Sequence, residues 1–273
     1  MTFDKTPGGQ KMKRKRIEKI PFELPSELQK FTTGATLFDS SCSPEARVYF
    51  IDKDGGYYLK RGAHCALENE AALTDYFHKK GLGAEVLFYR MYADCDWLLT
   101  SRLAGEDCTH ADYLSDPERL TDKIADRLRA LHEVDFSDAL HFEHTKHYFA
   151  LAERNYRLGK FDKSFLPREL SKCSMDEAFA LLSEGREQFR SEVLLHGDYC
   201  LPNIMLDGWR FSGFIDLGGG GVGDRHVDLF WGAWTLAFNL GTDKYRQRFF
   251  DAYGRELVDT DKLRLVGIAE CFG

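Results

Sequence analysis

Two aspartates and an asparagine stand close together in the segment "LLHGDYCLPNIMLDGWRFSGFIDLGGGG", residues 194–221. Asp198 lies in a loop, residues 196–202, between two apolar, strand-like runs; Asn203 begins the second run and Asp216 lies where it ends. Polar side chains on loops that strands hold in place are well positioned for function. Carboxylate and amide oxygens suit Mg²⁺, which completes its shell with phosphate and water. The segment therefore predicts one carboxylate for an acceptor hydroxyl, Asp198, and two metal ligands, Asn203 and Asp216.

The spacing H-x-D-x-x-x-x-N, followed after a hairpin by I-D-x-G, resembles the catalytic loop and metal-binding aspartate of protein kinases. Either pair alone is explained as well by turn residues, but their order, downstream of a β-rich region, favours a kinase. Kinase-type sites also pair a lysine with a helix glutamate to hold the α- and β-phosphates. Lys60 in "YYLK" and Glu70 in "ENEAAL" meet that requirement, and Glu68 is a nearby alternative to Glu70.

The elements before residue 100 are predominantly β-type. The run "ARVYFIDKDGGYYLKRG" predicts a hairpin that turns at residues 54–56, because β-rich residues flank an Asp-Gly-Gly turn. A helix is expected over residues 66–80, closed by Gly81, and strands over residues 85–89 and 97–101. "DSSCSPEARV" replaces a glycine-rich loop and offers small residues and backbone donors near Ser43, which we expect to lie over the phosphates.

Helical signals dominate after residue 105. Asp116 and Pro117 form an N-cap followed by proline at the first helical position, and Ser174 and Glu177 form a capping box. Further helices are expected over residues 224–239, 243–253 and 259–271.

These elements predict an α+β, protein-kinase-like fold with two lobes, a small β-rich N-terminal lobe and a larger, mainly helical C-terminal lobe. The nucleotide-binding lobe would cover residues 1–99, with residues 1–16 as a mobile tail. A hinge connector would cover residues 100–105, and the catalytic and substrate-binding lobe residues 106–273.

Composition limits the function classes. The net charge is −7, and the excess of acidic residues lies in residues 106–273. An acidic surface disfavours nucleic acid and favours a cationic small molecule, although most such charge is ordinarily solvated surface. No apolar run suggests a signal peptide or a membrane span. We therefore expect a cytoplasmic protein with no nucleic-acid, membrane or obligate protein partner.

With these residues identified, the chain resembles the aminoglycoside 3'-phosphotransferases from about residue 17 to residue 272. The resemblance rests on "HGDYCLPNIML", "FSGFIDLG" and "GVGDRHVDLF", with support from "SPEARVYFID" and "ENEAAL". It implies transfer of the γ-phosphate of ATP, with GTP as an alternative donor, to the 3'-hydroxyl of an aminoglycoside. It also implies Mg²⁺ as cofactor and antibiotic resistance as outcome.

The resemblance also implies roles for individual residues. Asp198 would be catalytic, Asn203 and Asp216 would bind Mg²⁺, and Asp228 would brace the catalytic loop. For nucleotide binding, it implies Lys60 paired with Glu70, Tyr58 stacked on adenine, Ser101 and Leu103 at its edge, and Ser43 over the phosphates. For the substrate, the implied or available contacts are Glu270, Phe272, Asp176 and Glu177, the last two also being explained by helix capping.

Three departures from the family pattern bear on activity. Position 219 is glycine where the family usually has arginine near the transferring phosphate, so one cation that would stabilise the transition state is missing. Phe238 and Asn239 stand where some members carry acidic drug contacts. Gly273 follows Phe272, so a contact from a terminal carboxylate on that phenylalanine would be altered.

Two alternatives remain open at this point. One is a kinase of the same fold acting on choline, a homoserine-like metabolite or a macrolide, whose lining beside Asp198 would differ from an acidic aminoglycoside site. The other is a nucleotide-binding pseudokinase. The presence of Lys60, Asp198, Asn203 and Asp216 argues against a pseudokinase, whereas Gly219 mildly favours it.

Overall fold

A computed structural model describes residues 14–42, 46–139 and 142–273 of the 273-residue chain. The chain forms two compact units. The first comprises residues 1–111 and 202–218, and the second residues 112–201 and 219–273. The chain therefore passes from the second unit into the first between Leu201 and Pro202, within the catalytic-loop motif.

A six-stranded antiparallel sheet, in the order β1-β2-β3-β4-β6-β5, forms the centre of the first unit. Its strands are β1 (Lys15–Ile17), β2 (Thr36–Asp39), β3 (Ala46–Asp52), β4 (Tyr57–Ala63), β5 (Val86–Met91) and β6 (Cys95–Ser101), and its helices are α1 (Ser26–Thr32) and α2 (Glu68–Lys79).

The β3–β4 hairpin determines where Lys60 lies. Asp54, Gly55 and Gly56 all have positive φ in the turn, as the sequence predicts. Lys60 is then opposite Val48 on one side and Leu98 on the other. Neighbouring Leu59 is fully buried in the core of the sheet, so the alternation of a strand directs Lys60 to the other face.

A second, three-stranded sheet in the first unit consists of β7 (Glu106–Asp107), β9 (Ile204–Asp207) and β10 (Arg210–Phe214), in the order β10-β9-β7. The β9–β10 hairpin turns through Gly208 and Trp209, both with positive φ. Because Ile204 pairs with Phe214, Asn203 and Asp216 flank the same end of this hairpin.

The second unit is mainly helical, with one short sheet. Its elements are α4 (Pro117–His132), α5 (His144–Arg157), α6 (Met175–Gly185), α7 (His226–Leu240), α8 (Arg246–Tyr253) and α9 (Thr260–Glu270), with β8 (Val193–Leu195) paired to β11 (Gly221–Gly223); α3 (Ala111–Leu114) begins at the boundary of the first unit.

The predicted helix starts agree with the structure. Asp116 accepts a hydrogen bond from the Arg119 amide at the start of α4, and the Ser174–Glu177 capping box opens α6. The helix α6 ends at Gly185 and a short 3₁₀ turn follows. The side chain of Leu265 packs so closely on Gly185 that a Cβ would lie 2.5 Å from it, which favours glycine at this position.

The predicted N-terminal tail is wrong for its last residues. Lys15 and Arg16 belong to β1, where they pair with Asp39 and Phe38. Arg14, just before them, lies over the ring of Phe50, 4.0 Å from its centroid. A basic run is therefore compatible with an edge strand when its side chains contact aromatic rings and acidic neighbours.

The division into lobes at residues 1–99, 100–105 and 106–273 stays a prediction; the compact units group residues 202–218 with the first unit. Among the described residues, no helix combines the length and apolar character needed to cross a membrane.

Candidate active site

The first unit assembles a cluster of one lysine and two carboxylates. The Lys60 Nζ lies 2.7 Å from Oε2 of Glu70 and 2.9 Å from Oδ1 of Asp216. Glu70 comes from the first turn of α2 and Asp216 follows β10. The structure thus selects Glu70 rather than Glu68 as the partner of Lys60, and joins three residues that the sequence separates widely.

The pKa values in the cluster reflect burial and shared charge. Burial alone would lower the pKa of Lys60, but the carboxylates of Asp216 and Glu70 outweigh it and raise that pKa. Burial raises the pKa of Glu70, and the charge of Asp216 adds to this, while Lys60 opposes both. Lys60 therefore stays cationic, and two carboxylates compete for it.

Asp216 is held in an uncommon conformation. Its φ is 58°, a left-handed value that aspartate adopts more readily than most residues but that still costs about 1–3 kcal/mol. The side chain is 54% exposed, although Oδ1 accepts from Lys60. The Ile215 amide next to it donates to the Asn203 carbonyl at 3.0 Å, which ties the backbones of the two predicted metal ligands together.

These residues fit Mg²⁺ in chemical type. Asn203 and Asp216 supply an amide and a carboxylate at one end of a hairpin, and Lys60 leaves the cluster with net negative charge. Within residues 14–42, 46–139 and 142–273, no three His, Cys, Asp or Glu side chains are grouped to hold a metal. A site of this kind suits Mg²⁺, which binds one or two protein ligands together with phosphate and water.

The residues predicted to contact the nucleotide also belong to the first unit. The ring of Tyr58 lies 5.2 Å from that of Phe50, and its hydroxyl accepts a hydrogen bond from Arg14. Ser101 closes β6, with its amide donating to the Glu85 carbonyl, and Leu103 follows it in the connector. Ser43 lies outside the described residues. The nucleotide contacts stay predictions.

The second unit fixes the loop that carries Asp198. Asp198 is half-buried, and its amide donates to Nδ1 of His196. The Tyr199 hydroxyl donates to the Ile124 carbonyl at 2.7 Å, and the Leu201 amide donates to Oγ1 of Thr235 at 3.1 Å. The residues that follow Asp198 thus attach the loop to α4 and α7.

Asp228 braces this loop from α7, as the resemblance implied. Its side chain is fully buried and accepts from the amides of His196 and Gly197, both at 2.8 Å, and from Nε2 of His132 at 3.2 Å. Burial alone would raise the pKa of Asp228, but these hydrogen bonds, led by that from His132, lower it. Asp228 therefore stays ionised and holds the backbone before Asp198.

Two glycines in the second unit lie in close contact. Gly197 has φ 85°, and a Cβ on it would lie 1.9 Å from the Gly219 carbonyl oxygen, so only glycine fits there. A Cβ on Gly219 would lie 3.6 Å from its nearest neighbour, a normal contact. Packing against the loop therefore does not require a glycine at position 219.

A second carboxylate of interest in this unit is Glu270, at the end of α9. Its Oε1 accepts from the Tyr148 hydroxyl at 2.7 Å and from Nε1 of Trp231 at 3.2 Å. Burial raises the pKa of Glu270 to about 7, with the charge of Asp198 adding to the effect. Glu270 thus lies within electrostatic reach of Asp198 and has neutral hydrogen-bond donors.

The other predicted substrate contacts have structural partners. The ring of Phe272 is fully buried and its carbonyl accepts from Nδ2 of Asn155, so its side chain offers no surface to a ligand. The Glu177 carboxylate accepts from the Ser174 amide in the capping box, and Asp176 accepts from the hydroxyl of Tyr156. For Glu177 and Phe272, the capping and packing roles account for the residue.

Four contributing residues were not identified from the sequence. Nδ2 of Asn69 donates to the Gly218 carbonyl at 2.8 Å, linking α2 to the turn after Asp216. His132 supports Asp228, and Tyr148 and Trp231 hold Glu270. A helical His, Tyr or Trp has no local motif, so long-range contacts of this kind carry no sequence signal in a single chain.

Comparisons with known proteins agree with this geometry. The phosphotransferase enzyme family model matches residues 37–266. The probable aminoglycoside 3'-phosphotransferase of Lactococcus lactis subsp. lactis, strain IL1403, is 47% identical over 260 residues, which cover 95% of this chain and 97% of that protein.

Solved structures with the same fold include aminoglycoside kinases. A structure of aminoglycoside phosphotransferase APH(3'')-Id from Streptomyces rimosus, in complex with ADP and streptomycin, has a TM-score of 0.64 at 26% identity, covering 87% of this chain and 90% of that one. An aminoglycoside-3'-phosphotransferase of type VIII has a TM-score of 0.70 at 24% identity, covering 83% and 88%. The predicted α+β, protein-kinase-like fold class is confirmed.

The family model spans most of the chain, the Lactococcus relative aligns over nearly its full length, and the signature residues lie in connected loops. The chain belongs to the phosphotransferase enzyme family.

Proposed function

We propose that this protein transfers the γ-phosphate of ATP to the 3'-hydroxyl of an aminoglycoside antibiotic and thereby confers resistance. The observation that carries the proposal is the cluster of Lys60, Glu70 and Asp216 beside Asn203, together with the braced loop that presents Asp198. A relative at 47% identity is named a probable aminoglycoside 3'-phosphotransferase, which supports the choice of substrate.

The first unit would bind the nucleotide. Lys60, oriented by Glu70, would contact the α- and β-phosphates, and Asn203 and Asp216 would hold Mg²⁺. The ion would neutralise charge on the phosphates as they react. ADP in the complex of the Streptomyces rimosus relative supports a nucleotide as donor.

The second unit would bind the acceptor. Asp198 would accept a hydrogen bond from the attacking hydroxyl and orient it towards the phosphate, since positioning contributes more than early proton removal in a loose transition state. Asp228 would keep this loop in place. Because ATP is the donor, we place the reaction in the cytoplasm.

A phosphorylation assay tests the proposal directly. Purified protein with Mg-ATP and kanamycin or neomycin should yield a monophosphorylated drug by mass spectrometry. A 3'-deoxy drug should not react, which identifies the site of transfer. Streptomycin serves as a third test substrate, because the Streptomyces rimosus relative was solved in complex with it. Reaction with streptomycin but with neither of the other drugs would show that the phosphate goes to a hydroxyl other than the 3'-hydroxyl.

The substitution Asp198→Ala supplies the mechanistic control. We expect turnover to fall at least about 10³-fold while the affinity for Mg-ATP changes less than about threefold. Asp207→Ala, at an exposed position in the same segment, should leave both values unchanged. If no 3'-hydroxyl aminoglycoside accepts phosphate, the drug assignment fails.

A further inference from the structure

The helix α7 carries an aromatic face on the side away from most of its buried residues. Phe230, Trp231, Trp234 and Phe238 fall within an arc of about 100° around the helix axis. Trp231 and Trp234 have ring centroids 5.4 Å apart, and Trp234 stacks on Phe238 at 4.9 Å with 10° between the planes. A surface helix face ordinarily carries polar residues, so this face needs an explanation.

The inner part of the face joins the core and the outer part does not. Trp231 and Phe230 pack against the buried cluster of the second unit, and Phe165 lies 5.6 Å from Trp231. The outermost ring, Phe238, is 39% exposed. Phe165 also lies 6.1 Å from Trp234. Core packing therefore explains the base of the face but not the exposed ring of Phe238, which stacks on Trp234.

The base of the face ends at a carboxylate. Nε1 of Trp231 donates to Glu270 at 3.2 Å, and Tyr148 donates to the same oxygen. Both donors are neutral, and the negative charge of Asp198 also acts on Glu270. A positive group placed here would relieve the repulsion between the two carboxylates.

Together these features specify the chemistry of a ligand. An apolar ligand would cover the rings but leave the Glu270 carboxylate without a cation, and a compact cation would leave most of the apolar area of Trp234 and Phe238 uncovered. A sugar ring with ammonium substituents satisfies both, because its C–H face packs on an aromatic ring and an ammonium group is attracted to carboxylates and π faces.

We propose that Trp231, Trp234 and Phe238 form an aromatic wall on which an aminated sugar ring of the substrate stacks; an ammonium group of that ring would lie on Glu270, the contact that the resemblance already implies. The proposal rests on the proposed function and adds the way in which the substrate is recognised. At Phe238 and Asn239, where some family members carry acidic drug contacts, this sequence has no acidic residue. Ring stacking at the wall would supply the specificity instead.

Paired substitutions test the wall through kinetics. Trp234→Leu and Phe238→Leu remove a flat ring but keep apolar volume, and each should raise KM for kanamycin about five- to tenfold with kcat within about twofold. Trp234→Phe and Phe238→Tyr keep a ring and should restore KM to within about threefold of the wild type. Leu151→Ala, at a residue 45% exposed on α5, is the matched surface control.

The kinetic outcomes are decisive. KM for ATP should stay unchanged in all variants, since a general folding defect would alter it and kcat together. Leucine variants with KM for the drug within twofold of the wild type would overturn the proposal. So would an equal rise of KM in the leucine and the ring-retaining variants.

A binding measurement separates this proposal from the proposed function. The wall contains two of the four tryptophans of the chain, so kanamycin should change the intrinsic fluorescence in a saturable way without nucleotide. Trp234→Leu should remove most of that change and Trp209→Phe should not. If no drug is phosphorylated but this fluorescence pattern is observed, the aromatic wall is supported and the proposed reaction is rejected. If the fluorescence shows no saturable change, the aromatic wall is rejected.

One further outcome would also overturn the proposal. If the wild type elutes as a dimer in size-exclusion chromatography and Phe238→Asp elutes as a monomer, the face belongs to a contact with a second copy of the chain.

Discussion

Glu70 and Glu270 are the two carboxylates that differ most in how the protein compensates their charge. Glu70, in the first unit, lies 2.7 Å from the ammonium group of Lys60. Glu270, in the second unit, accepts hydrogen bonds from the phenol of Tyr148 and the indole of Trp231. The first charge is balanced by a cation of the chain itself, whereas the donors described for the second are neutral, and we propose that a ligand supplies its cation.

Asp228 shows a third arrangement. It is fully buried, yet backbone amides and His132 keep its pKa low. Its role is to fix a loop, and no ligand is needed to stabilise its charge. In the proposed function, the partner of each carboxylate matches its role: a lysine for phosphate orientation, backbone amides for loop position, and neutral donors for recognition of a cationic ligand.

Among the changes that test this comparison of carboxylates, the largest expected effect comes from removing the internal cation. Lys60→Met would leave Glu70 and Asp216 without their shared ammonium group, and we expect kcat/KM to fall about 10²- to 10³-fold. Lys79→Met removes an exposed lysine that pairs with Asp75 and should change kcat/KM less than twofold. Steady-state kinetics with varied ATP measures both, and near-normal activity of Lys60→Met would contradict the role of the cluster.

Removing the charge of Asp228 should mainly affect stability. Asp228→Asn replaces one acceptor oxygen with an amide NH2 group, which would face the hydrogen-bond donors that now bind the carboxylate. This should lower the free energy of unfolding by about 2–4 kcal/mol at pH 7. Asp243→Asn, at an exposed residue paired with Arg246, should change it by less than about 0.5 kcal/mol. Urea unfolding followed by circular dichroism provides the measurement.

The pH dependence of this effect has a definite sign. The pKa of Asp228 is lower in the folded than in the unfolded protein, so its stabilisation is fully present above the unfolded value near 4 and is lost as the pH falls through the folded value. The gap between wild type and Asp228→Asn should therefore shrink below pH 4. A gap that widens in acid would be incompatible with an ionised Asp228.

Glu270 should show the opposite sign. Its pKa in the folded protein, about 7, lies above the unfolded value near 4.3, so the cost of its charge appears as the pH rises through this interval and is complete above pH 7. Glu270→Gln should thus be more stable than the wild type at pH 8, by about 1–3 kcal/mol, and equally stable near pH 4.

The same substitution tests recognition of a cation. Ionisation of Glu270 should lower KM for the drug as the pH rises from 6 to 8, so Glu270→Gln should raise KM about tenfold at pH 8 and much less at pH 6. Glu256→Gln, 70% exposed in the same unit, serves as the control. An identical pH profile of KM in wild type and Glu270→Gln would remove Glu270 from the substrate site.

The sequence predicted local features well because they depend on neighbouring residues. The hairpin at residues 54–56, the Asp116 N-cap and the Ser174 capping box all follow from side chains a few positions apart. The spacing of Asp198, Asn203 and Asp216 was also readable, since these residues share one short segment.

The sequence left choices open, or missed contacts, where residues from distant elements meet, although the predicted pairing of Lys60 with Glu70 is found in the structure. The choice of Glu70 over Glu68 depends on how α2 packs beside the sheet, and the support of Glu270 depends on α5, α7 and α9. The basic run at Lys15 and Arg16 was assigned to a tail because charge alone does not reveal pairing with β2. Such contacts depend on tertiary packing, which no local pattern specifies.

The smallest expected effect concerns a charge that the protein lacks. Gly219→Arg adds a cation in the second unit, next to the loop of Asp198. A Cβ at this position would make a normal contact, with its nearest atom at 3.6 Å, so the substitution should not reduce stability. If the cation stabilises charge on the transferring phosphate, kcat should rise about two- to fivefold with KM for the drug unchanged. Gly219→Ala controls for backbone stiffening, and Gly219→Gln for side-chain bulk without charge. A rise in kcat shared by all three would assign the effect to the backbone, whereas a rise limited to arginine would show that charge compensation in the second unit limits the rate.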